Sequence, residues 1–206
     1  MDTYQLTLFL LETFLLFGIP VGLILLDRKY FNKRLYILGL VFCVTLVLAV
    51  LKNWPQDTMG FTSITSYQLL WYCSALALGS ILLYLADKVF IKKNQRVDFE
   101  VVLSSVALSF AQEFIFNAYY LTTASVLFGV VGGLFVLGLM FAIVHQTFER
   151  SLESFGLSFV SGIFLGTVFI LIPNIYLATL VHATLNIQAL KYRLPGIGPS
   201  LRQFER

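Results

Sequence analysis

Charge is what this sequence has least of. Only 12% of its 206 residues are charged and mean hydropathy is +0.85, whereas an ordinary soluble domain carries about 25% charged residues. That excludes a soluble globular enzyme. The net charge of +3 is divided among the gaps between apolar runs rather than gathered in one patch, so no nucleic-acid partner is expected. Cysteine is scarce too. Cys43 and Cys73 lie apart in apolar segments without a CxxC pair, which leaves no disulfide framework or thiolate metal motif to read. Both are expected to be buried, inert thiols. The first residues, MDTYQLTLF, lack the basic region of a signal peptide, and no cleavage site follows their long apolar stretch, so a retained first span is expected. Fixed-period repeats and low-complexity segments are also missing.

What remains is a series of apolar runs. A membrane span needs about 20 such residues, within a range of about 17–25. On that measure the spans are Leu6–Leu26, Leu35–Leu51, Gln68–Phe90, Val101–Leu121, Val126–Phe148, Leu157–Ile172 and Ile175–Leu190. A short link, Thr122-Thr123-Ala124, joins the fourth to the fifth, and Pro173-Asn174 breaks the chain between the sixth and seventh. Basic residues orient this map. With the N-terminus outside, 13 of the 14 Lys and Arg fall on the cytoplasmic side, and Lys52 stands alone opposite. The expectation is an all-α, polytopic membrane helical bundle of about seven transmembrane helices, multi-pass, with a cytoplasmic C-terminus. Its divisions are an N-terminal three-span region over 1–100, a four-span core over 101–190 and a polar tail over 191–206.

Small-residue pairs one turn apart, Gly18/Gly22, Gly129/Gly133 and Gly162/Gly166, point to close helix packing. Trp54, Tyr67 and Trp71 fall near the outer ends of spans, where an aromatic belt is expected.

Ionisable groups inside the spans are few. They are Glu12, Glu113, His145 and His182, the last two being the only histidines in the chain. Glu12 lies close to the outer surface and is read as structural or solvated. An isolated carboxylate as deep as Glu113 costs at least about 2.5–3.5 kcal/mol and calls for a partner. Asn117 follows Glu113 by four residues and Asn186 follows His182 by four, so each amide shares a helix face with its ionisable neighbour. Gln112 is turned by about 100° from Glu113 and faces elsewhere. A Glu and both histidines on three separate spans make a shared site the expectation.

Two chemistries fit such a set. In one, Glu113 with His145 activates a water that attacks an amide carbonyl, while His182 and Asn186 donate to the developing oxyanion. In the other, Glu113, His145 and His182 ligate Zn²⁺ and leave its fourth position to water. The first is preferred, because the second lacks a separate carboxylate base and an HExxH pair on one helix. No cofactor is therefore expected.

At these residues the sequence resembles the CAAX-protease and bacteriocin-processing (CPBP, Abi, Rce1-like) family of intramembrane endopeptidases. Its pattern is EExxxR on one span, FxxxH on the next and HxxxN on a later one. The counterparts are Gln112-Glu113-Phe114-Ile115-Phe116-Asn117, Phe141-Ala142-Ile143-Val144-His145 and His182-Ala183-Thr184-Leu185-Asn186. The resemblance covers about Val101 to Leu190. It implies hydrolysis of a peptide bond in a membrane-tethered or prenylated peptide or protein within the lipid bilayer, with Glu113, His145, His182 and Asn186 as catalytic residues and Gln112 and Asn117 in support. Two departures matter. Gln112 stands where the family has the Glu held to activate water, and Asn117 stands where it has Arg. An amide cannot act as a general base. Either Glu113 has taken over the role, or the protein is an inactive member acting as a membrane binding, immunity or partner-stabilising factor.

Depth is a further tension. Glu113 and His182 fall mid-span and His145 near the cytoplasmic end of its own, about 10 Å apart on straight helices. The gap closes if the fifth span begins near Leu134, after a glycine-rich approach over Val126–Gly133.

Overall fold

A helix satisfies its backbone N–H and C=O groups within one segment, so long apolar runs take that form in a bilayer. The computed structural model describes residues 3–26, 34–90, 99–147 and 151–192, and among these it contains helices and no strand. The helices are α1 (Thr3–Leu26), α2 (Arg34–Leu51), α3 (Ser66–Phe90), α4 (Phe99–Gln112, continuing into a π-helical stretch Glu113–Leu121), α5 (Thr122–Gln146), α6 (Leu152–Leu171) and α7 (Ile175–Tyr192). Among the described residues, four helical stretches are long and apolar enough to cross a membrane: Thr3–Leu26, Ser66–Leu85, Phe99–Gln146 and Leu152–Leu171. The basic segments 27–33, 91–98 and 148–150 and the tail from 193 lie outside the described residues.

The link expected at Thr122–Ala124 is helical. Thr123 Oγ1 donates to the Tyr119 carbonyl at 3.0 Å, a bond that fits a continuing helix. The chain turns at Gly129 instead, with φ 71° and ψ 170°, a conformation essentially reserved for glycine. Two residues eight apart on a straight helix are separated by about 12 Å. A Cβ on Gly133 would nevertheless lie 3.0 Å from the Ser125 backbone, so α5 folds back on itself. Gly129 and Gly133 therefore build a reversal and not the expected packing pair. Gly18 and Gly22 show no such approach: the three atoms nearest a Cβ on the first belong to Phe14 of its own helix, and the second has open space around it. Gly162 and Gly166 do. Added Cβ atoms there would lie 2.8 Å from Phe141 Cβ and 2.5 Å from Leu137 Cδ2, which brings α6 tightly against α5.

Pro173-Asn174 breaks the chain as expected. Asn174 Oδ1 accepts the N–H groups of Tyr176 and Leu177 and so caps the start of α7. The connection between α2 and α3 folds over this break: the Gly60 carbonyl accepts from Ile175 N–H at 2.8 Å, and Thr62 Oγ1 donates to the Pro173 carbonyl at 2.8 Å. Cys43 and Cys73 differ from expectation. Both are exposed on the helix surface, where a bundle presents apolar side chains to lipid, and neither is in a disulfide. Trp54 also turns inward, stacking on Tyr119 at 5.0 Å, while Tyr67 and Trp71 meet edge to face at the start of α3.

The centre of the bundle is the π-helical stretch. All nine residues from Glu113 to Leu121 are buried, and α1, α2, α5, α6 and α7 surround them. A second π turn, Phe14–Gly18 in α1, lies against it, with Phe17 packed on Phe116 and Tyr120. π turns are rare and recur at functional sites.

Candidate functional site

Glu113 opens the π-helical stretch, and both of its carboxylate oxygens are engaged. Oε1 lies 2.8 Å from His182 Nδ1, and Oε2 accepts from Asn117 Nδ2 at 2.7 Å. The four-residue pairing legible in the sequence is thus made despite the wider winding. The partner demanded by a buried carboxylate comes from α7.

Below Glu113 on α4, Ser105 and Ser109 fall at the same four-residue interval and continue the face toward α7. Ser105 Oγ donates to the Ala183 carbonyl at 3.3 Å, and Asn186 Nδ2 donates to Ser109 Oγ at 3.3 Å. Sequence reasoning missed these serines. The interval was visible, but serine is too common in membrane helices to single them out.

His145 sits one turn after Phe141 on α5. Its Nδ1 is 2.8 Å from the Phe141 carbonyl oxygen, which can only accept, so Nδ1 carries the hydrogen. Its ring stacks on the Phe141 ring with centroids 4.2 Å apart, and the Phe141 centroid is 6.1 Å from that of His182. The depth mismatch closes because the returning part of α5 starts just after Gly129, inside the glycine-rich stretch, which moves His145 well along the bundle.

His145, His182 and Asn186 line one cavity of about 100 Å³ among α3, α5, α6 and α7. A water needs about 10–15 Å³ of such space, so several fit. Gln112 is elsewhere. It lines a separate cavity of about 60 Å³ with Phe17, Phe116, Val144 and Thr147, between α1, α2, α4 and α5.

Proton positions follow from these contacts. Neutral His145, with its hydrogen on Nδ1, has its lone pair on Nε2, the kind of atom that takes a proton from water. If Oε1 and Nδ1 share one proton and the pair bears no net charge, His182 Nε2 carries a hydrogen and is a donor. The cavity thus joins His145 of α5 with His182 and Asn186 of α7. Among the described residues no group of three or more His, Cys, Asp or Glu is arranged to hold a metal ion. Glu113 and His182 meet as direct hydrogen-bond partners.

The model of the family described as type II CAAX prenyl endopeptidase Rce1-like matches residues 96–188, the stretch that carries Gln112, Glu113, Asn117, His145, His182 and Asn186. No curated protein and no solved structure matches the chain.

Proposed function

We propose that this integral, multi-pass membrane protein, whose residues 96–188 match the Rce1-like family of type II CAAX prenyl endopeptidases, hydrolyses a peptide bond in a prenylated or otherwise membrane-tethered polypeptide. The observation that supports this best is one cavity of about 100 Å³ lined by His145, His182 and Asn186, with Glu113 hydrogen-bonded behind His182.

In this reading a water in the cavity gives a proton to His145 Nε2 as its oxygen attacks the carbonyl carbon. The carbonyl electrons move onto oxygen, where His182 Nε2–H and Asn186 Nδ2 stabilise the oxyanion. On collapse the C–N bond breaks and the amine leaves with the proton held by His145. Glu113 contributes through His182, fixing the ring and balancing its charge, with Asn117 holding the second carboxylate oxygen. The share in water activation expected for Glu113 is therefore indirect. Gln112 stands outside this chemistry, in the neighbouring cavity. No metal takes part. The Zn²⁺ alternative on Glu113, His145 and His182 would require the Glu113–His182 bond to open.

A second reading is favoured by one specific feature. Gln112 replaces the expected Glu, and both Glu113 oxygens are already engaged. Such a chain could bind a tethered peptide without cutting it, as a partner-stabilising or immunity factor. The full-length protein in lipid nanodiscs, incubated with a prenylated peptide ending in a CAAX sequence and followed by mass spectrometry, separates the two. Cleavage that His145→Ala abolishes supports the protease. Retention of intact peptide by the wild type supports the binding protein.

A further inference from the structure

On the face of the π-helical stretch turned away from the site, a second polar cluster joins residues from regions far apart in sequence. Glu12 of α1 is buried, and its Oε2 accepts from both Lys52 Nζ at 2.8 Å and the Tyr119 hydroxyl at 3.0 Å. Lys52 follows the end of α2 and lies over the Tyr119 ring, 4.9 Å from its centroid. Trp54 stacks on Tyr119 with centroids 5.0 Å apart, and Lys52 Nζ also lies 5.5 Å from the Trp54 ring centroid. Neither Glu12 nor Lys52 lies in the segment that matches the family.

The winding of the stretch links this cluster to the site. An α-helix turns about 100° per residue, and a π-helix closes its hydrogen bonds one residue later. Between Glu113 and Tyr119 the difference accumulates to about one residue, so rewinding to α would turn Glu113 by about 100° relative to Tyr119. With the stretch wound as π, the Tyr119–Glu12 and Glu113–His182 bonds are both made. A π-helix is rare on its own merits and has to be held from outside.

We propose that Glu12, acting through the Tyr119 hydroxyl, is a positioning residue for the Glu113–His182 pair. Lys52 holds the Glu12 carboxylate in place, so the first two helices set the register of the stretch that bears the site. This rests on the protease reading only for its consequence in catalysis, since the coupling itself has a separate readout.

The chain's two histidines make imidazole ¹⁵N NMR of the full-length protein in nanodiscs a direct probe, with His145→Gln used for assignment. Glu113→Gln marks where the His182 Nδ1 signal falls when the carboxylate is lost. Tyr119→Phe removes one oxygen from the far cluster and is expected to move the His182 signal toward that position. Glu12→Ala should do the same, whereas Glu12→Gln, which keeps an acceptor for Tyr119, should restore most of the wild-type signal. Thr45→Val is the control for general loosening, since the Thr45 hydroxyl is buried and bonds only within its own helix. An unmoved His182 signal in folded Tyr119→Phe and Glu12→Ala overturns the proposal, and so does an equal movement in Thr45→Val. Where cleavage is measured, Tyr119→Phe should lower kcat by about 10²-fold with KM little changed. A moved His182 signal with unchanged kcat upholds the coupling and tells against the role of Glu113 in catalysis.

Discussion

His182 Nδ1 lies 2.8 Å from Glu113 Oε1, and the two side chains are 3% and 1% exposed. Removing one partner of a buried pair leaves the other uncompensated and costs about 3–5 kcal/mol. His182→Ala is expected to lower stability on that scale, and Glu113→Gln, which keeps volume and one acceptor, by less. Denaturation in matched detergent compares the two. Equal stability in all three proteins would mean that the pair contributes nothing to the fold.

His145 and Asn186 face the cavity without belonging to that pair, so their variants should act on rate more than on stability. Loss of a general base costs about 10²–10⁴-fold, and loss of one oxyanion donor about 10²–10³-fold. His145→Ala and Asn186→Ala are expected to reduce kcat within those ranges while leaving the melting temperature close to wild type.

Gln112→Glu restores the residue the family has at this position, but it places the carboxylate in the cavity beside Phe17 and Phe116, away from His145 and His182. No rise in cleavage is expected. An intramembrane carboxylate there should instead destabilise by at least about 2.5–3.5 kcal/mol unless it is neutralised. A large gain in rate would show that the parent lacks its base.

Gly129 has open space around it, so a substitution there meets only backbone strain. Gly129→Ala is expected to cost about 1–3 kcal/mol. Gly22→Ala, also in open space but helical, should be neutral or slightly stabilising. Thermal melts of the two variants give the comparison.

Chelation gives an independent check on the chemistry. With proton transfer by His145 and no metal step, the cleavage rate should be unaffected by prolonged treatment with a strong zinc chelator. Loss of activity reversed by added zinc would favour the ligand set Glu113, His145 and His182.

Local features of the sequence carried much of this. The four-residue spacing of Glu113 and Asn117 is realised as a 2.7 Å bond, and Pro173-Asn174 ends α6 and caps α7. Gln112, turned by about 100° from Glu113 on a helix, lines a different cavity. Three features were not legible, each for a physical reason. The glycine that reverses the chain at Gly129 has the same spacing to Gly133 as a packing motif, and only the backbone angles tell the two apart. The π winding of Glu113–Leu121 has no residue signature, and the stretch packs against five other helices that are distant or separately formed in the chain. Glu12 finds Lys52 and Tyr119 across 40 and 107 residues of chain, distances at which no spacing rule operates.

The most direct test is a double-mutant cycle on the cleavage rate of a prenylated CAAX peptide, using Glu113→Ala, His182→Ala and the two combined. Residues that act as one unit are strongly non-additive. Each single variant should lose about 10²-fold or more, and the double variant should be no slower than the slower single. Multiplied losses in the double variant, or singles that cleave at the wild-type rate, would contradict the account.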